Sequence, residues 1–229
     1  MKERRQLEVL YQISRALVGK QDLDAILQQV VSMTADLVGS KICSLMLLNK
    51  KKDELVIKAT QSLSMAYRDK PPIKVGQSVS GKVVEKKQAI QVADVTVNPI
   101  YSYPEIARQE GLKSLLSVPL LLSEKIIGVL NCYTAEEKTF SREDIQLVQT
   151  IANQTAMAVE HMRLVSEEAE ARLTLESKKA IDGAKRVLMM RHKMSEEDAH
   201  RFIQKASMDK NKPQKEIADA VILSAELIK

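Results

Sequence analysis

The chain has 229 residues, 45% of them hydrophobic and 28% charged, the balance of a folded globular protein and not of a disordered or fibrous one. Lys plus Arg number 35 against 30 Asp plus Glu, a net charge of +5 that points to an anionic partner. With no Trp, two Phe and five Tyr, sheet modules that stack successive bases on aromatic rings are excluded, so any nucleic-acid role falls to Lys, Arg and Asn. No apolar run reaches the ~20 residues of a membrane helix, and the N-terminus lacks a signal-peptide core. A cytoplasmic protein with no membrane partner is expected. Cys43 and Cys132 are too few for a disulfide framework or a Cys-rich zinc site.

Residues 3 to 18 and 22 to 38 read as amphipathic helices, with Leu7, Leu10, Ile13 and Leu17, then Leu23, Ile26, Leu27, Val30 and Val31 at helical spacing. Asp22 is the expected N-cap of the second. Two short apolar strands, 42 to 49 and 54 to 60, flank a polar turn. A loop carrying Pro71 and Pro72 leads to Gly76-Gln-Ser-Val-Ser-Gly81-Lys82-Val83, read as a turn and short helix. It nearly spells a phosphate-binding loop, but Val83 stands where a Mg²⁺-binding hydroxyl is required, so a structural turn is expected and not a nucleotide site. Strand 89 to 92, a loop with a short helix, and strands 114 to 122 and 125 to 134 follow.

Five of six prolines and six of seven glycines precede residue 130, and none lies between Gly128 and Gly183. A long uninterrupted helix is therefore expected from Ser141, which forms a capping-box pattern with Asp144. Ile145, Val148, Ala152, Thr155, Val159 and Met162 step by 3 and 4, the seam of a coiled coil, continued by Ser166, Ala169 and Leu173. The stretch after Leu164 is too polar for one chain to bury, so a parallel homodimer through this helix is expected. The last fifty residues read as three helical segments, about 172 to 192, 196 to 208 (with Ser195 and Asp198 as a second capping box) and 213 to 228 with Pro213 in the first turn. Ile181, Ala184 and Leu188, then Ala199, Phe202, Ile203 and Ala206, then Ile217, Val221 and Leu227 are expected to form their common core.

Taken in order, VGQSVSGKV, AIQVADVTVNPIY, LLSVPLLLSEKIIGVLNCYT and FSREDIQLVQTIANQTAMAVE resemble a GAF domain over residues 1 to 165. The stretch IDGAKRVLMMRHKMSEEDAHRFIQKASMDKNKPQKEIADAVI resembles an ANTAR domain over 178 to 229, with 160 to 180 as a helical linker. Arg186, Ser207 and Met208 depart from the family's usual residues. The resemblance implies an α+β fold: an antiparallel sheet flanked by helices, a long coiled-coil helix and a C-terminal three-helix unit. It also implies a dimeric transcription antiterminator that binds tandem hairpins in nascent leader RNA. Here a small-molecule effector in the GAF pocket would replace the phosphorylated receiver found in most relatives.

In that pocket, between the sheet and the loops crossing it, the expected lining is Met46, Asp94, Tyr101, Tyr103, Ile106, Leu116, Val118 and Cys132. Two of the seven aromatics fall at Tyr101 and Tyr103, and such amphipathic rings suit a small ligand. The cyclic-nucleotide signature of the family is not recognisable, and the cofactor is left unknown. Residues 178 to 229 hold 12 Lys plus Arg against 8 Asp plus Glu, a net +4. Lys185, Arg186, Arg191, Arg201, Lys205, Asn211, Lys212 and Lys215 are the expected RNA contacts, cations for phosphates and the amide for a loop base. No catalytic or metal set is expected from His161, His192 and His200, or from Cys43 and Cys132, which are read as core residues. Two alternatives remain: a DNA-binding factor with a helix-turn-helix, which would want a tight turn, often with Gly, that the connection MDKNKP is not expected to provide, and a GAF redox enzyme using the two cysteines.

Overall fold

The computed structural model describes Glu8, Tyr11, residues 22–49 and residues 51–227, with backbone alone for residues 226 and 227. The expected first helix, with Leu7, Leu10, Ile13 and Leu17, lies outside the described residues, as does the Leu227 side chain. The chain forms two compact units, Met1–Met162 and Arg163–Lys229.

In the first unit, helix α1 (Leu23–Val38) begins after Asp22, which holds the N-cap position with extended backbone but makes no side-chain cap bond. Strands β1 (Ile42–Leu48) and β2 (Glu54–Thr60) form the expected hairpin, followed by a short helix α2 (Met65–Arg68) and a two-residue edge strand β3 (Ile73–Lys74) that periodicity does not reveal. Helix α3 (Ser78–Lys86), β4 (Ile90–Val92), helix α4 (Pro104–Gln109), β5 (Leu115–Leu122) and β6 (Lys125–Tyr133) complete it. All pairings are antiparallel, in the order β3-β2-β1-β6-β5-β4.

Strand parity gives the sheet two different faces. Cys43, Leu45, Leu116, Val118, Leu120, Leu130 and Cys132 form one core with the apolar side of α1 and the first turns of helix α5 (Arg142–His192). Residues on the opposite parity, Ile42, Leu115 and Tyr133, pack instead with Tyr67, Val79, Val95, Tyr101 and Ala107 from α2, α3, α4 and their loops.

The phosphate-loop lookalike has a purely structural explanation. Gly76 takes φ +81° and its N–H donates to the Gly81 carbonyl at 3.0 Å, while a Cβ on Gly81 would sit 2.4 Å from the Lys74 carbonyl oxygen. These two positions let α3 lie directly against β3.

Helix α5 runs 51 residues without a break. Its start is the expected box: the Asp144 N–H donates to Ser141 Oγ (3.1 Å) and the Ser141 N–H to the Asp144 carboxylate (3.4 Å). The seam positions Val148, Ala152, Thr155 and Val159 are buried in the first unit, the apolar ones in its α1/α5 core. Up to Val159, then, the seam is occupied within the chain's own fold. From Arg163 the helix belongs to the second unit, where Leu164, Val165, Leu173 and Leu175 are about half exposed.

In the second unit, the end of α5, helix α6 (Glu196–Lys210) and helix α7 (Gln214–Leu227) pack through Ala184, Leu188, Ala199, Ile203, Ile217 and Ala218. Phe202 does not join them. Ala199 and Ile203 lie one turn apart on the inward face, and Phe202, 100° round the helix from Ile203, is 45% exposed. The core is tight enough that small residues such as Ala184, Ala199 and Ala218 fill it. Ser195 caps α6, its Oγ accepting from the Asp198 N–H at 3.1 Å.

Candidate ligand site and nucleic-acid interface

The sheet face turned toward the loops carries polar residues where a simple core would have apolar ones. Ser44 on β1, Asn131 on β6 and Ser117 on β5 are direct cross-strand neighbours and are all buried. Ser44 Oγ accepts from the Tyr67 hydroxyl (3.0 Å), and Ser80 Oγ donates to Asn131 Oδ1 (3.1 Å). Ser117 Oγ is buried with no hydrogen-bond partner among the described residues, an arrangement that costs free energy.

Beside this row stand four of the chain's five tyrosines. Tyr67 and Tyr101 each meet Tyr133 edge to face, at centroid distances of 6.0 and 6.3 Å. Tyr101 donates to the Tyr133 hydroxyl (3.3 Å) and Tyr103 to the Pro71 carbonyl (3.0 Å). Burial raises the pKa of the Tyr67, Tyr101 and Tyr133 phenols, so all three stay neutral at physiological pH. Lys70 completes the group: its Nζ lies 3.5 Å from the Tyr67 ring centroid and 5.7 and 5.8 Å from those of Tyr133 and Tyr103. Loss of hydration lowers its pKa to about 7, with the Glu110 charge acting in the opposite direction.

Of the expected lining, Tyr101, Tyr103 and Ile106 come together here, and Met46 lies on the same parity farther along β1, in a cluster with Leu55, Val83 and Val129. Leu116, Val118 and Cys132 do not: they face α1 and α5 on the other side of the sheet. Asp94 is tied up locally, accepting from the Thr96 N–H and hydroxyl (2.8 and 2.6 Å) and pairing with Lys113 (2.8 Å); the Lys113 interaction first, then Thr96, brings its pKa down to about 2. Sequence reasoning did not find Tyr67, Tyr133, Ser44, Asn131, Ser117 or Lys70. The tyrosine count was a usable signal, since only folding could bring positions 67, 101, 103 and 133 together. Cys43 and Cys132, with Sγ atoms 3.4 Å apart, are both fully buried on the helix-facing side, and burial raises the Cys43 thiol's pKa.

In the second unit the expected RNA contacts divide by what already engages them. Lys185 sits between Glu196 (2.8 Å) and Asp182 (3.1 Å), which raise its pKa in that order. Arg191 donates to the Ala225 carbonyl, Lys212 pairs with Glu216 (2.9 Å) and Lys215 with Glu176 (3.4 Å). Asn211 is the left-handed cap of α6, at φ 49°, a conformation Asn tolerates. Arg201, Lys205 and Met208 share one exposed face of α6 at i, i+4 and i+7, with Phe202 beside them. Arg201 meets Asp198 (3.2 Å) and Glu197 (3.8 Å) in surface pairs, which are weak. Arg186 is exposed on α5.

Comparison with known proteins agrees with these two units. The GAF domain family matches residues 20–160 and the ANTAR domain family residues 169–222. The Nif-specific regulatory protein of Herbaspirillum seropedicae is 23% identical over 174 residues, 72% of this chain and 31% of its own length. The formate hydrogenlyase transcriptional activator of Salmonella typhimurium is 21% identical over 165 residues, 70% of this chain and 24% of its own. The chain thus spans about a quarter to a third of the length of these two relatives. Among solved structures, the GAF domain of a phosphoenolpyruvate-protein phosphotransferase from Coxiella burnetii superposes with TM-score 0.63 at 25% identity, covering 72% of this chain and 98% of that one. The free methionine-R-sulfoxide reductase of Neisseria meningitidis shares the fold at TM-score 0.58 and 24% identity, over 70% of this chain and 91% of that one. No helix among the described residues is long and apolar enough to cross a membrane. With one family model over more than half of its length and a second behind it, the chain belongs to the GAF domain family and carries an ANTAR domain after it.

Proposed function

We propose that the protein is a ligand-responsive antiterminator: residues 1–165 sense a small molecule, 160–180 link the units, and a dimer of the 178–229 units binds tandem hairpins in nascent leader RNA. The observation that carries this reading is the ANTAR match placed directly after a GAF domain on one unbroken helix. The concentration of net charge in the last fifty residues supports it. So does the exposed α6 face, where Arg201 and Lys205 suit phosphates and Phe202 offers a ring to an unpaired loop base. Dimerisation through the helix is supported by Leu164, Ala171 and Leu175, which with Glu168 step by 4, 3 and 4 along an exposed stripe. Ligand binding would act by favouring one arrangement of the paired helices over another. No catalytic step is part of the reading.

A DNA-binding role is the second reading, favoured by one feature: α6 and α7 are joined by only Asn211, Lys212 and Pro213, with Asn211 in the left-handed turn position that suits a helix-turn-helix. The discriminating experiment is binding of the full chain to two-hairpin leader RNA, single-hairpin RNA and duplex DNA across a salt series. Preference for the two-hairpin RNA at every salt concentration is expected. Equal or tighter binding to duplex DNA would refute antitermination.

A further inference from the structure

We propose that the tyrosine cluster of the sensor unit is a cation cage held closed by the chain's own Lys70, and that the effector it takes is a small organic ammonium compound. The inference rests on the sensor reading above and names the ligand's chemistry. In a chain with no Trp and seven aromatic residues, four tyrosines meet at one point, and three present ring centroids to a single ammonium at 3.5, 5.7 and 5.8 Å. All three distances fall within the ~6 Å reach of a cation–π interaction.

The rings are held in place for this by their hydroxyls, Tyr67 on Ser44, Tyr101 on Tyr133 and Tyr103 on the Pro71 carbonyl. The cage is therefore assembled before a ligand arrives, and little ordering is required on binding. Its present occupant is poorly suited to it. A primary ammonium is strongly hydrated, and Lys70 has ring faces around it where an ion-paired lysine would have a carboxylate; Glu110 acts on it only through its charge. An alkylated ammonium gives up less hydration and finds the same faces. Lys70 lies at the end of α2 beside Pro71 and is partly exposed, so its side chain has a route to water when displaced. The buried Ser44, Asn131 and Ser117 row, with the unpartnered Ser117 hydroxyl, supplies hydrogen bonds for a polar end of the same molecule.

The test uses the intact protein and its intrinsic tyrosine fluorescence, which reports on the cage because four of the five tyrosines lie in it and no Trp masks them. Tetramethylammonium chloride is titrated against NaCl at equal ionic strength, with circular dichroism confirming the fold of each variant. A saturable response is expected in the unaltered protein. Removing the internal competitor, Lys70→Gln, should tighten it by about tenfold, the scale of one partly buried cation–π interaction. Tyr103→Leu, at the rim, should weaken it severalfold, while Tyr103→Phe, which keeps the ring but loses the bond to the Pro71 carbonyl, should weaken it less. The proposal is overturned by equal affinities before and after Lys70→Gln, by absence of saturation in that variant, or by Tyr103→Phe behaving as Tyr103→Leu. It is overturned equally if acetate saturates the unaltered protein and not Lys70→Gln, since Lys70 would then be an anion receptor. The RNA preference is measured without any cation probe, so its failure is distinct from failure of the cage.

Discussion

Replacing Lys70 by Met tests the energetics on which displacement depends. The unbranched thioether fills the lysine's space against the Tyr67 face and removes the titrating group. Folding lowers the Lys70 pKa from 10.5 to about 7, so between those values the unfolded chain binds a proton that the folded chain does not. Stability of the unaltered protein therefore rises with pH across this window, and below pH 7 it carries the whole cost of burying the ammonium. The full difference would be at most about 5 kcal/mol. Lys70 keeps part of its surface in water, and with solvent screening about 2 kcal/mol is the working figure. The assay is urea unfolding by circular dichroism from pH 6.5 to 9.5, comparing the two proteins at each pH. The Tyr67, Tyr101 and Tyr133 phenols, also shifted, titrate above that range and are common to both. Lys70→Met should be the more stable by about 2 kcal/mol at pH 7, the advantage shrinking steadily toward pH 9.5. A pH-independent difference, or a less stable variant, would mean that the rings and Glu110 hold the ammonium as well as water does.

Gly81→Ala places a Cβ 2.4 Å from the Lys74 carbonyl oxygen, which forces α3 off β3; a drop of about 1–3 kcal/mol in stability is expected in thermal melts. Arg201→Ala with Lys205→Ala should weaken RNA binding and lower the salt slope by about 0.7 for each single-strand phosphate no longer neutralised, whereas Lys185→Ala, at a site already occupied by two carboxylates, should leave the slope unchanged. Leu164→Glu with Leu175→Glu puts like charges along the exposed stripe of α5, and sedimentation should show the dimer shifted to monomer without loss of helix content. Burial of Cys43 and Cys132, with the raised Cys43 pKa, predicts that an aromatic disulfide reagent labels neither thiol of the native protein at pH 8 and labels both in urea.

Much of the architecture was legible in local pattern because it is local in origin. The Ser141 and Ser195 caps, the apolar spacing of α1, the hairpin of β1 and β2, and the absence of Gly and Pro from most of the long helix all act within a few residues of themselves. The two-residue β3 was not legible, since Ile73 and Lys74 are a strand only by pairing with Leu55 and Glu54. The expected heptad seam was a correct reading of periodicity, but the same spacing serves a helix packed on a sheet, and that is how it is used up to Val159.

The candidate ligand site divides along the same line. Sequence alone determined which strands and loops would border it and singled out Tyr101 and Tyr103. Which residues of those strands face it is a matter of parity, and parity is set by register against neighbouring strands and not by composition: Leu115 and Tyr133 turn toward the loops, Leu116 and Cys132 away. Lys70 is invisible as a site residue in the chain, a single lysine in a polar loop before two prolines. Only the tertiary fold carries its ammonium over the faces of tyrosines 3, 33 and 63 positions away along the sequence, and only there does loss of water make that charge costly to keep.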